Sequence, residues 1–186
     1  MGAREFFMIC VIQRVKSAQV LVEKKVCSKI GAGLLALVGI ESSDKLCNID
    51  KMVKKLLSYR VFSDSKKRMN LSLADVDGEL LLVSQFTLVA DTKRGLRPGF
   101  SSAMSPELAR PFFEKFVASA KAKYGSVSCG AFGEDMEVSL TNDGPDYLHS
   151  KSIILSTCSG SFPNYFQKMK CLIFFRLKFP FRKAPT

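Results

Sequence analysis

Leu80-Leu81-Leu82-Val83 is an unbroken apolar run that reads as a fully buried strand, and it passes straight into Ser84-Gln85-Phe86-Thr87-Leu88. A strand of that kind demands cover on both faces, which excludes a simple one-layer sheet. Ser84, Gln85 and Thr87 then stand where the pattern wants apolar side chains. An unbonded hydroxyl or amide in such a place costs about 1 to 3 kcal/mol, so neighbours, bound water or a ligand must use these groups. On this stretch alone, nearby backbone groups satisfy the pattern as well as chemistry does.

The remaining elements surround that strand. Ile9 to Val15, Gln19 to Glu23 and Gly33 to Ile40 read as strands of a meander. Ser43 and Asp44 offer an N-cap, after which Leu46, Ile49, Met52, Val53, Leu56 and Leu57 recur at helical spacing. Lys51, Lys54 and Lys55 fall mainly on the other face of that helix and read as its solvated side. Arg60 to Phe62 is a short strand, Ser63 to Lys67 is a polar turn before Met69 to Leu73, and Asp77-Gly78 reads as a hairpin turn feeding the central strand. Ser105 and Pro106 open a second helix, whose stripe of Leu108, Phe112, Phe113, Phe116, Val117 and Ala120 reads as core packing. Val127 to Phe132 and Met136 to Thr141 are two further strands. Seven or so strands and two helices without regular βαβ alternation predict an α+β domain on a mainly antiparallel sheet or barrel. Internal repeats, phosphate-binding glycine motifs and apolar runs of about 20 residues are absent from the sequence.

Six cysteines without a C-x-x-C pair point to free thiols in a reducing, cytoplasmic setting, with neither disulfide framework nor zinc site. Residues 1–7 are too short and too polar for a signal peptide and read as an extension. The formal charge of +11 suits a polyanionic partner, but seven of those charges lie in the segment 151–186, which has no Asp or Glu. The +4 left over fits brief capture of a nucleic-acid end better than tight binding along a duplex. This basic, Phe-rich tail is set apart from a domain spanning 8–150. It reads first as an alternative C-terminus and second as a membrane-surface or tRNA-binding extension, although Ser152 to Ser156 could still form a strand.

Asn142-Asp143-Gly144-Pro145 alone is a turn signal. It forms an ordered series with Val11 to Val15, Met69 to Ser72, Ser84 to Leu88, Arg97 to Ser102 and Phe132 to Met136. That series resembles the D-aminoacyl-tRNA deacylase family, enzymes of translation quality control that remove D-amino acids from tRNA. The resemblance runs from about Met8 to Pro145. After it, Asp146-Tyr147-Leu148-His149-Ser150 replaces the family's usual Val-Thr and final strand.

The resemblance implies a two-helix β-barrel and a homodimer with active sites at the subunit interface. It implies ester hydrolysis of D-aminoacyl-tRNA, and of glycine misattached to tRNA, since a gate that works by chirality cannot easily reject a residue without a side chain. It assigns catalysis to Ser84, Gln85, Phe86 and Thr87. It gives chiral selection to Gly144-Pro145, held with a cis bond and inserted into the partner subunit, with Asn142 in the same loop and Arg14 fixing it. Phe100, Ser101, Ser102 and Arg97 would border the pocket for the terminal adenosine, together with the rest of the Lys93 to Arg97 loop. Gly133 and Met136 would shape its wall. No metal, cofactor or stable membrane association is expected.

His149 is the only histidine and lies outside the family-like part, so a histidine-based triad or metal site is disfavoured. Thr87 has no base near it in sequence and reads as a positioning hydroxyl. An activated ester needs a positioned carbonyl, donors for the oxyanion and water. Backbone N–H groups around Phe86 and Thr87, with the substrate's own ribose 2′-OH, meet that need in the mechanism the resemblance implies. Two alternatives stand beside it: a nucleic-acid-binding or chromatin-associated protein that uses the basic tail, and an inactive paralogue altered after Pro145.

Overall fold

The computed structural model describes residues 8–92, 96–143, 153–154 and 175–176. Its organising element is β1 (Ile9–Val22), a single strand where the sequence reads as two. The first part of β1 pairs antiparallel with β3 (Gly33–Gly39), from Ile9 opposite Gly39 to Val15 opposite Gly33. The second part pairs with β2 (Lys25–Ile30) on one side and with β8 (Met136–Asn142) on the other. The register against β8 shifts between Val15 and Ser17, and that irregularity interrupts the alternation that a continuous strand would show. β2 has no counterpart in the sequence reading. The two-residue turn before it is Glu23-Lys24, both at positive φ (50° and 65°), without the Asn or Gly that marks such hairpins.

The other half of the sheet is parallel. β6 (Glu79–Ser84) runs parallel to β3, and β7 (Val127–Cys129) runs parallel to β6. The connections carry α1 (Ile49–Ser58) and α2 (Pro106–Lys123). Two crossovers therefore lie within a sheet expected to be mainly antiparallel, and the fold is the expected α+β with a mixed, curled, barrel-like sheet. The buried strand explains this. Leu80, Leu81, Leu82 and Val83 are each 0% exposed. Leu80 and Leu82 meet Met52, Val53, Phe112 and Phe116 in the core beneath the helices, whereas Leu81 and Val83 join Val20, Ile30, Leu35 and Met136 on the opposite face. Burying a side chain of this size contributes about 1.5–3 kcal/mol, and a parallel strand with helices on one side and a curled sheet on the other gains it on both faces. Gly33 permits the close β3–β6 approach, since a Cβ there would lie 1.9 Å from the Glu79 carbonyl oxygen.

The first helix starts later than expected, whereas the second starts at Ser105 and Pro106 as expected. Asp44 Oδ2 accepts the Glu41 N–H at 2.8 Å, and a 3-10 turn at Leu46–Asn48 leads into α1, leaving Leu46 exposed. Ser105 is the N-cap residue of α2 through its carbonyl, which accepts from Leu108 and Ala109 N–H, and Leu108 is exposed while the remainder of the predicted stripe is buried. β4 (Phe62–Ser63) and β5 (Met69–Leu71) form a separate ribbon. Asp77-Gly78 is a turn but not a hairpin, because Gly78 N–H bonds to Leu73 O and β5 does not pair with β6. Two short segments of the tail add to the sheet: β9 (Ile153–Ile154) pairs with Val11 and Ile12, and β10 (Phe175–Arg176) with Val138 and Glu137. No helix among the described residues is long and apolar enough to cross a membrane.

Candidate active site

The strand expected to continue through Thr87 ends at Ser84. Gln85 (φ −145°, ψ 88°) turns the chain out of the sheet into a 3-10 turn, Phe86–Val89. Gln85 N–H donates to Val38 O at 2.7 Å, which pins the exit to β3. The first bond inside the turn runs from Leu88 N–H to Gln85 O, so the amides of Phe86 and Thr87 precede it. Gly39 lets the turn settle on β3: a Cβ there would stand 2.9 Å from Leu88 Cβ and 3.3 Å from Gln85 O. The turn thus occupies the carboxyl end of a parallel strand, where open α/β sheets collect their ligands.

Ser84 and Gln85 are buried, while Phe86 and Thr87 are exposed. Gln85 Nε2 donates to Thr87 Oγ1. A carboxamide cannot take the hydroxyl's proton, so this pair orients Thr87 without activating it. The Phe86 and Phe100 rings lie 5.0 Å apart, and together they form an exposed aromatic edge. Ser102 Oγ donates to Val89 O at 2.8 Å, tying the second loop to the turn. Asp91 and Gly99 exchange backbone hydrogen bonds of 2.8 and 2.9 Å and pinch the base of the intervening loop. Arg97 and Ser101 are exposed on this loop, and Lys93, Arg94 and Gly95 lie outside the described residues. Behind it, the Glu41–Asp44 segment meets the loop through Ser42 N–H to Ser102 O at 2.9 Å. Burial raises the Asp44 carboxyl to about 6, opposed by its bond from the Glu41 amide and reinforced by the Glu41 charge. Its Oδ1 is buried without a hydrogen-bond partner. Burial, and secondarily Asp44, pushes the Cys10 thiol up to about 12, so this cysteine is chemically inert.

Arg14 builds a second constellation. Its guanidinium is almost wholly buried, donates from Nη1 to Val61 O at 2.5 Å and from Nη2 to Asp143 O at 3.1 Å, and sets Nε 2.9 Å from Asp143 Oδ2. Asp143 N–H returns a bond to Arg14 O at 2.9 Å. Asp143 is therefore held on several sides immediately before Gly144-Pro145, which, like His149, lie outside the described residues. Asn142, the last residue of β8, is exposed and pairs with Val15. Sequence reasoning missed Asp143 as the partner of Arg14, although it stands within the quoted turn motif.

These two constellations are not together. Arg14 pairs with Leu34, whose parallel partner is Leu80, whereas Ser84 is paired with Val38, which faces Cys10. Four strand steps, about 13 Å at 3.3 Å per residue, separate the two levels along the sheet. Gly133 (φ 83°) sits in the turn before β8, beside Phe132, whose ring stacks on Arg110 with 5.1 Å from guanidinium to centroid. Met136 is 1% exposed within the core facing Leu81 and Val83, so its side chain shapes the interior behind the surface.

The family model described as D-Tyr-tRNA(Tyr) deacylase matches residues 11–149. A D-aminoacyl-tRNA deacylase of Nitrosococcus oceani is 54% identical over 138 residues, covering 74% of this chain and 89% of that protein. The Teredinibacter turnerae enzyme of the same name is 53% identical, with 74% and 95% covered. A solved structure of the c-Myc DNA Unwinding Element Binding Protein superposes with a TM-score of 0.70 at 38% identity, covering 74% of this chain and 93% of that one. A second, described as a probable eukaryotic D-amino acid tRNA deacylase, gives a TM-score of 0.66 at 16% identity, covering 74% and 95%.

Proposed function

The chain belongs to the D-Tyr-tRNA(Tyr) deacylase family and is a hydrolase of D-aminoacyl-tRNA; from that premise we propose that the ester is cleaved at the Gln85–Thr87 turn of one subunit under a chirality gate supplied by a second. The ester carbonyl sits against the amides at the start of the turn, which donate to the oxyanion as it forms. The ribose 2′-OH next to the ester orients or activates the attacking water. Thr87 positions the substrate, Gln85 and Ser84 line the wall, and Phe86 and Phe100 flank the terminal adenine. Ser101, Ser102 and Arg97 border the nucleotide, with Gly133 and Met136 behind it.

One observation carries the two-subunit reading. Arg14 and Asp143 stand at the level of Leu80, while the turn begins beyond Ser84. A clamp and a turn set apart at two levels of the sheet support a gate that reaches each turn from a second copy. A two-fold pair brings each loop to the other's turn with a single self-complementary interface. Exclusion of L side chains is then a steric clash with backbone, and glycine esters pass the gate. The work belongs in the cytoplasm, with the tRNA pool.

The test is release of D-amino acid, compared with the L form and with glycine, from charged tRNA. The reading expects rapid D and glycine release and a strong bar to L; equal rates for D and L would remove the gate. Phe86→Pro isolates the backbone donor, because proline is tolerated at the first position of a helical turn and deletes only its N–H. Against Phe86→Ala as the control for the ring, it should lose a further factor of about 100 in kcat, on the scale of removing one oxyanion donor.

A nucleic-acid-binding role is a second reading, favoured by the 38% identity to the c-Myc DNA Unwinding Element Binding Protein. The two activities do not exclude one another. Binding of a DNA duplex at the salt concentration used for deacylation decides whether the second exists.

A further inference from the structure

The β4–β5 ribbon ends in a tip that carries Lys66, Lys67 and Arg68, all exposed. The one acid of this tip, Asp64, is turned inward: Oδ1 accepts the N–H groups of Lys66 at 2.8 Å and Arg68 at 2.9 Å. Asp64 N–H bonds to Arg68 O at 2.8 Å, and Lys67, at φ 59°, bonds through its N–H to Asp64 O at 2.9 Å. Four bonds therefore close the backbone of the tip, and among the described residues no carboxylate forms an ion pair with its three cations. At the root, Arg60 Nη1 reaches across the ribbon to Asn70 Oδ1 at 3.1 Å, adding a fourth cation. Immediately before β4 stands Val61, whose carbonyl receives Arg14 Nη1, the same guanidinium that holds Asp143. The ribbon is thus anchored to the segment that leads into 144–145.

We propose that the Lys66-Lys67-Arg68 tip contacts phosphates of the tRNA acceptor arm whose 3′ end carries the ester. This rests on the deacylase reading and extends it from the ester to the body of the substrate. A catalytic site that sees only the terminal adenosine and its amino acid has little purchase on a large polyanion. A closed loop displaying three unpaired cations supplies that purchase with little ordering cost, and it releases counterions when it meets the backbone. Lysine ammonium groups act as point charges, so the contact positions the RNA without reading its sequence. The α1 lysines offer no comparable cluster, being spread over a helix that also carries Asp50.

The experiment compares the full chain with a Lys66→Ala, Lys67→Ala, Arg68→Ala variant, and with a Lys66→Arg, Lys67→Arg, Arg68→Lys variant that keeps the charge. Uncharged tRNA affinity is measured across a potassium chloride series. Hydrolysis is measured on D-aminoacyl-tRNA and on a D-aminoacyl ester of adenosine. The alanine variant is expected to bind tRNA more weakly by about tenfold or more near 0.1 M salt, with a salt slope shallower by about 2 to 3. Its kcat/KM on the tRNA substrate should fall in parallel, its rate on the adenosine ester should be unchanged, and the charge-keeping variant should behave as the parent. Unaltered tRNA affinity and salt slope in the alanine variant would overturn the proposal, as would equal losses on both esters. If the parent cleaves neither ester, the deacylase reading fails, and the tRNA affinities still decide the role of the tip.

Discussion

Thr87 and Asp44 show how little the side chains of the site resemble ordinary catalytic groups. Thr87 is bonded by an amide, and among the described residues no base is hydrogen-bonded to it, so Thr87→Ala should keep kcat within about tenfold of the parent, whereas loss of a true nucleophile costs nearer a millionfold. A thousandfold fall in single-turnover release of D-amino acid would make the hydroxyl a participant. Asp44 is a pH-dependent liability. Its carboxyl holds a proton up to about pH 6 in the folded protein against an ordinary value of 3.8, so the native state binds more protons than the unfolded chain between those values. Stability is therefore greatest at the acid end of that window, falls as the pH rises through it, and is level above. Asp44→Asn keeps an acceptor for the Glu41 amide and removes the buried charge. Its Tm should exceed the parent's at pH 7.5 and match it near pH 4; an equal offset at both would refer the effect to packing.

Among the elements, the junction of β6 with the 3-10 turn is the most informative. Gly39 has no Cβ, and that absence sets how closely the turn lies on β3. Gly39→Val should push the turn outward and lower kcat by about 10- to 100-fold, since small misplacements of donors are costly. The fall in kcat should exceed any fall in Tm, read by steady-state kinetics beside calorimetry. The sequence made the buried strand legible because four apolar residues in a row have few other homes. It did not reveal that the strand ends at Ser84, because Gln85 leaves the sheet under the direction of Gly39 and Val38, partners far away in sequence. β2 was hidden for a related reason: Glu23 and Lys24 take left-handed conformations that neither residue type announces. The Ser84–Thr87 group stood out locally, whereas the Arg14–Asp143 clamp joins residues over a hundred positions apart and follows only from the β1–β8 pairing.

At the scale of the whole molecule, the sheet draws in residues beyond the family-like part. β9 and β10 each pair over two residues, covering β1 at Val11 and Ile12 and the outer edge of β8. Ending the chain at Ser150 should leave a protein that still unfolds cooperatively but with a lower Tm, at about 2–4 °C per kcal/mol lost for a chain of this size. Loss of the cooperative transition would make the tail part of the folding unit. The sheet geometry also has a genetic consequence. If the turn of one copy works with the loop of another, two different defects need not be equally fatal in combination. Gly39→Val damages the turn and Arg14→Met the loop, so each alone yields a protein with both sites impaired. Co-refolding the two in equal amounts would place one undamaged turn opposite one undamaged loop in every mixed pair, restoring about a quarter of the sites. Complementation between two inactive alleles of one gene is thus expected, and its failure would return the gate and the turn to the same subunit.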